Sequence, residues 1–265
     1  MSGSNDRAPL VLEPQALKAE AAILRQRLAD HGFAEQARIA ILADNSSEFV
    51  VARAAIARGG WVAVPINHKL KAPEIEFILR HSAAELLLVA PALEARGQAA
   101  MAGWKRPLAQ WTIPLHSASD EWIAPANPAI GATLIYTSGT TGTPKGCLRT
   151  ESQERARAEE LIATYGISSS DVQLIASPLA HSGPGIFLRA GRLAGARTVL
   201  MPKFDAEAAL AAIDDYRVSF FFMVPTQYER LLALPKPVRD RYDVSSVRAA
   251  IVAGAPIRPE TKKRI

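Results

Sequence analysis

A chain of 265 residues with 49% hydrophobic and 22% charged content can bury a sizeable core beneath a water-facing surface. Its 31 Lys and Arg against 26 Asp and Glu give a net charge of +5, but the excess is dispersed and lacks a basic stripe interleaved with aromatics, which argues against nucleic-acid binding. One cysteine, Cys147, and five scattered histidines exclude an internal disulfide and a cysteine-based zinc site, so no protein-held metal is expected. The longest apolar runs, such as 220–224, fall far short of the ~20 residues that span a bilayer, so no transmembrane segment is expected. The N-terminus shows no secretory pattern, and the cytoplasm is the expected compartment.

In chain order, Leu17, Ala21, Leu24 and Leu28 recur at helical spacing and predict an amphipathic helix over 15–30, with Gly32 where it should stop. Residues 38–43 read as a strand. Asn45 with Glu48 resembles a capping box opening a helix that ends at Gly59 and Gly60. A strand over 61–64, a helix from Pro73 to about residue 81 and a strand over 85–89 follow. Such alternation implies parallel strands with helices on the sheet faces.

Between 106 and 128 the pattern lapses, with Pro107, Pro114, Pro125 and Pro128 spaced through it, suggesting an irregular linker between subdomains 1–105 and 129–265. Alternation then resumes: strands over 133–136, 174–177, 198–201, 219–224 and 248–253, and helices over 152–165, 205–216 and 227–233, with Asp205 as a cap. Pro259 opens a further helix that stops at Ile265 without a cap, which suggests truncation. The class is α/β; the strand order is not legible.

The most informative stretch is YTSGTTGTPKG, residues 136–146, at the carboxyl end of a predicted strand, where open α/β sheets place ligands. Gly139, Gly142 and Gly146 permit close backbone approach, and Ser138, Thr140, Thr141 and Thr143 add hydroxyl donors, so the loop suits an anion and above all phosphate. The spacing is neither that of a Walker A loop, since Pro144 precedes Lys145 and Gly146 follows it, nor that of a GxGxxG turn. It suggests a flap over polyphosphate, not a cradle running into a helix.

Residues 137–146, TSGTTGTPKG, resemble without a gap the phosphate-loop signature of the adenylate-forming superfamily of AMP-forming acyl-CoA synthetases, peptide-synthetase adenylation domains and firefly-type luciferases. RIAILADNSSEFVVARAAIARGGWVAVPIN (38–67) resembles that family's N-terminal core segment, and SPLAHSGPG (177–185) its histidine-containing loop. FDAEAALAAIDDYRVSFFFMVPTQYERLLALP (204–235) and YDVSSVRAAIVAGAPI (242–257) resemble the acyl-CoA synthetase branch up to the adenine pocket. The likeness covers about 38–265. It implies a partial N-terminal AMP-binding domain over 1–265, with stacked β-sheets and flanking helices, incomplete at the C-terminus and without the C-terminal lid domain.

By this resemblance, Thr137, Ser138, Gly139, Thr140, Thr141, Gly142, Thr143 and Lys145 would hold the phosphates of ATP. His181 would gate or contact the substrate carboxylate, making His181 and Lys145 the implied catalytic pair. Gly254, Ala255 and Pro256 would form the wall against adenine. Thr226 either lines the acyl pocket or caps the helix before Gln227. Ala180 stands where the branch commonly has a large aromatic and Glu151 where the family often has histidine; Cys147 reads as a buried packing residue rather than a nucleophile.

The implied reaction activates an apolar acyl or aryl carboxylic acid with ATP and Mg²⁺ to an acyl-adenylate, then transfers it to coenzyme A; a homodimer is the candidate assembly. The alternatives are a catalytically incomplete homologue with a ligand- or partner-binding role and an adenylation module loading a carrier protein. The family's ribose-binding aspartate, its Thr-Glu motif at the magnesium site and its C-terminal lysine would fall beyond Ile265, so residues 1–265 alone are expected to turn over poorly.

Overall fold

The structure is a computed structural model that describes residues 8–105, 107–113, 131–137 and 144–265. In chain order, β1 (Leu10–Leu12) leads to α1 (Pro14–Asp30), β2 (Arg38–Ala43), α2 (Ser47–Arg58), β3 (Val62–Asn67), α3 (Ala72–His81), β4 (Leu86–Val89), α4 (Glu94–Ala100) and β5 (Ala109–Thr112). Then follow β6 (Ala132–Thr137), β7 (Lys145–Thr150), α5 (Glu151–Tyr165), β8 (Val172–Ile175), α6 (Ser182–Ala194), β9 (Arg197–Leu200), α7 (Ala206–Asp215) and β10 (Phe220–Met223). The chain closes with α8 (Pro225–Ala233), α9 (Lys236–Arg239), β11 (Ala249–Val252) and α10 (Pro259–Arg264).

Packing divides the chain into two units, one of residues 14–156 and one of 1–13 with 157–265, so the division falls within α5. This differs from the expected subdomains 1–105 and 129–265, because β6 and β7 hydrogen-bond into the same sheet as β2 to β5. That sheet has the order β5-β4-β2-β3-β6-β7 and is parallel except for the antiparallel pair β6 and β7. Ala40 and Leu42 of β2, Val62, Val64 and Ile66 of β3, and Leu87 and Val89 of β4 pack with Ile75, Ile78 and Leu79 of α3 in one buried cluster. The period of two along the strands meets the 3.6-residue period of the helix there. The predicted face of α1 is buried as expected, with Leu17, Ala21, Leu24 and Leu28 each at most 4% exposed.

The second sheet has the order β1-β9-β8-β10-β11, with β8, β9, β10 and β11 parallel and β1 antiparallel on β9. Strand β10 reads FFFM and is buried along its whole length, as a parallel strand covered on both faces requires. Phe221 joins Tyr228 of α8 and the α7 residues Ala209, Leu210 and Ile213 on one face. Phe222 stacks on Phe187 of α6, centroids 5.1 Å apart.

Local chemistry accounts for most helix starts. Asp205 caps α7 as expected, its carboxylate accepting from the Ala208 N–H at 2.9 Å. The cap of α2 is Ser46, one residue beyond the expected Asn45: Ser46 Oγ accepts from the Phe49 N–H at 3.3 Å, while Glu48 accepts from the Ser47 hydroxyl. Helix α6 was not expected, because Gly183, Pro184, Gly185 and Gly191 argue against a helix from propensity alone.

Candidate functional site

In the unit of residues 14–156, the glycine-rich stretch joins β6 to β7. Thr137 and Lys145 are cross-strand partners, as are Tyr136 with Gly146 and Ile135 with Cys147. The stretch therefore leaves and re-enters one antiparallel hairpin instead of passing from strand to helix, unlike a Walker A loop. Ser138, Gly139, Thr140, Thr141, Gly142 and Thr143 lie outside the described residues. The two described ends, Thr137 and Lys145, are both exposed.

The base of this hairpin is built firmly. The Tyr136 hydroxyl and His81 Nδ1 lie 2.8 Å apart, and His81 stacks on Phe77. Burial pushes the Tyr136 phenol above its ordinary range, against a smaller opposing effect of Arg38. A Cβ on Gly146 would stand 3.1 Å from Leu134 and 3.3 Å from the Tyr136 ring, so glycine keeps this strand close to its neighbour. Cys147, expected to be buried, is exposed. The reason is topological: β7 is the edge strand of its sheet, and residues 145–148 along it face solvent.

The unit containing residues 157–265 brings the remaining candidates to the carboxyl ends of three adjacent parallel strands. Ile175 of β8 lies opposite Phe222 of β10, and Phe222 opposite Ile251 of β11, so the segments leaving β8, β10 and β11 emerge at one edge. That edge is where parallel sheets place ligands. His181 ends the segment leaving β8 and stands at the N-cap of α6, exposed, with extended backbone. Its N–H donates to Pro178 O at 3.1 Å and its carbonyl accepts from the Gly185 N–H at 3.2 Å. Ala180, before it, is buried.

Thr226 leaves β10 inside the first turn of α8, where Pro225 starts the helix and Val224 is the N-cap, so Thr226 does not cap it. The Thr226 side chain is exposed. Gly254 leaves β11 with φ of +89°, a left-handed conformation that favours glycine, and exposed Ala255 and Pro256 follow. A Cβ on Gly254 would lie 3.3 Å from Val224 Cγ1, so the exits of β10 and β11 touch.

Two side chains at this edge escape the sequence reading. Gln227, 7% exposed, accepts from the Ser177 hydroxyl at 2.5 Å and from the Val224 N–H at 3.1 Å, and donates to Ala176 O at 3.2 Å. Tyr228 donates its hydroxyl to Ile251 O at 3.0 Å, and burial pushes its phenol far above the ordinary range. The signal for Gln227 was present, since glutamine three positions after Val224 is the N3 half of a capping box.

The amino ends of the same strands carry a different constellation. Arg248 makes two bonds to Asp171, Nε to Oδ1 at 2.8 Å and Nη2 to Oδ2 at 2.7 Å, and Ser219 Oγ donates to Asp171 Oδ1 at 2.6 Å. Each of these residues immediately precedes β8, β10 or β11. Among the described residues no group of three or more His, Cys, Asp and Glu could hold a metal ion.

The chain belongs to the AMP-binding enzyme family, which it matches over residues 15–265. A feruloyl-CoA synthase of an Amycolatopsis species is 31% identical over 86% of this chain and 46% of its own length. The indoleacetate–CoA ligase of Aromatoleum aromaticum is 33% identical over 91% of this chain and 50% of its own. The chain thus spans about half the length of the curated relatives it matches. Among solved structures, the N-terminal domain of FACL13 from Mycobacterium tuberculosis superposes with a TM-score of 0.84 at 27% identity, over 94% of this chain and 64% of that one. The O-succinylbenzoate coenzyme A synthetase of Bacillus subtilis, in complex with AMP, gives 0.80 at 26% identity, over 94% and 50%. Among the described residues no helix is long and apolar enough to cross a membrane.

Proposed function

We propose that the native protein is an ATP-dependent, AMP-forming acid–thiol ligase that converts an apolar acyl or aryl carboxylic acid to its coenzyme A thioester. The observation that carries this reading is the TSGTTGTPKG signature set across a β-hairpin in a chain of the AMP-binding enzyme family. The feruloyl, indoleacetate and long-chain-fatty-acid ligases among the relatives support an acid with a large apolar part.

In this reading the carboxylate oxygen attacks the α-phosphorus of ATP, the bond to the bridging oxygen breaks, and pyrophosphate leaves with its charge. Residues 137–143 and Lys145 hold that leaving group, backbone and hydroxyl donors offsetting its charge with the cation that accompanies ATP. Gly254, Ala255 and Pro256 lie along adenine, where a glycine lets the backbone approach the base. His181 and Thr226 border the acid. The thiol of coenzyme A then attacks the acyl carbonyl, its proton passes to solvent or a base, and AMP departs.

The test is a panel of aryl and medium- to long-chain acids offered to the native, full-length protein with MgATP and coenzyme A, reading AMP and thioester by mass spectrometry. Acid-dependent formation of both is expected. AMP release without a coenzyme A thioester would move the acceptor to a carrier protein, and no acid-dependent AMP would overturn the reading.

A further inference from the structure

We infer that Gln227 and Tyr228, adjacent on the first turns of α8, are positioning residues that separately set the acid-side and nucleotide-side loops of the site; the inference rests on the ligase reading above. Strand β10 lies between β8 and β11, and α8 follows β10 almost directly. Its N-terminal end therefore stands beside both neighbouring exits. Gln227 reaches toward the β8 side, gripping Ser177 and Ala176, just upstream of the segment that ends at His181. Tyr228 reaches toward the β11 side, gripping the Ile251 carbonyl three residues before Gly254.

Both grips are buried and made by neutral groups, so neither serves solubility or charge balance. The Gln227 amide satisfies one hydroxyl, one backbone N–H and one backbone carbonyl. A core whose only task was stability could fill this place with leucine or methionine at similar volume and no polar atoms. Hydrogen bonds add what apolar packing does not, a fixed distance and direction between backbones that each carry part of the site. Misplacing a reacting group by about 1 Å can cost on the order of a hundredfold in rate, so holding these exits in place has kinetic weight.

The two grips act on different loops, and so their loss should appear in different constants. The experiment uses the native, full-length protein with an acid identified by the panel, measuring KM for acid, KM for ATP, kcat and melting temperature. Gln227→Met should raise KM for the acid about fivefold or more while KM for ATP stays within about twofold; Tyr228→Phe should show the reverse. Ser177→Ala, which removes one donor and leaves Gln227 in place, should repeat the acid-side shift at smaller size and keeps the test available if Gln227→Met does not fold. A general loosening of the fold would lower melting temperature and move both constants together, and that outcome, or unchanged constants in both variants, overturns the inference. An inactive wild type under the same conditions instead overturns the ligase reading, and the inference with it.

Discussion

Gly183 illustrates how a single absent side chain sets the geometry of the second sheet. A Cβ there would lie 2.7 Å from the Phe222 ring, which is itself buried and stacked on Phe187. Replacing glycine by alanine gains up to about 1 kcal/mol of helix propensity, but overpacking a filled core costs about 1–3 kcal/mol. Gly183→Ala is therefore expected to lower unfolding free energy by about 1 kcal/mol in a denaturant titration; a gain in stability would show that α6 can shift freely. Lys145 is the opposite case, exposed at the end of the glycine-rich stretch. Lys145→Ala should leave stability within about 0.5 kcal/mol and reduce the adenylation rate more than it weakens acid binding. An unchanged rate removes Lys145 from the mechanism. The glycine-rich motif was legible because it is dense enough to read position by position, whereas Gln227 and Tyr228 lay unread since their partners are distant in sequence and mostly backbone atoms.

Strands and helices with a clear period were legible to within a few residues, as with α1, β2 and α7. The hairpin was not. Lys145, Gly146 and Cys147 lack the alternation of a half-buried strand, because an edge strand with residues 145–148 exposed need not hide one face. Thr150 and Gln153 form a reciprocal capping box before α5, the Thr150 N–H donating to Gln153 Oε1 at 3.0 Å and the Gln153 N–H to Thr150 Oγ1 at 3.2 Å. That box marks where β7 ends and the helix begins. The exposed edge also makes a chemical prediction. Because Cys147 is the chain's one cysteine, a soluble disulfide reagent should label one thiol per chain in native buffer. Labelling that requires denaturant would show that β7 is covered.

For the molecule in bulk solution, the Asp171 network contributes to the response to acid. The Arg248 guanidinium beside it, with help from Ser219 and the Ser168 N–H, holds the Asp171 carboxyl well below the usual carboxylate range despite its burial. The folded pKa is thus depressed relative to an unfolded value of about 3.9. Its contribution is fully present above that value and is lost as pH falls below about 4 toward the depressed folded value. Asp171→Asn should flatten this acid limb of the melting-temperature profile, while Asp171→Ala, which leaves the part-exposed Arg248 only its bonds to the Tyr165 and Gly166 carbonyls, should cost about 1–2 kcal/mol at neutral pH. An acid limb as steep in the Asn variant as in wild type would assign the loss to other carboxylates. None of this was legible beforehand, since residues 171, 219 and 248 meet only through the parallel register of β8, β10 and β11.

That register also has a historical consequence. The ionic clasp lies at the amino ends of the strands, while His181, Thr226 and Gly254 lie at the carboxyl ends. Substitutions in those loops can therefore accumulate while the clasp stays untouched, and a lineage can vary the carboxyl edge of the sheet without first losing foldedness.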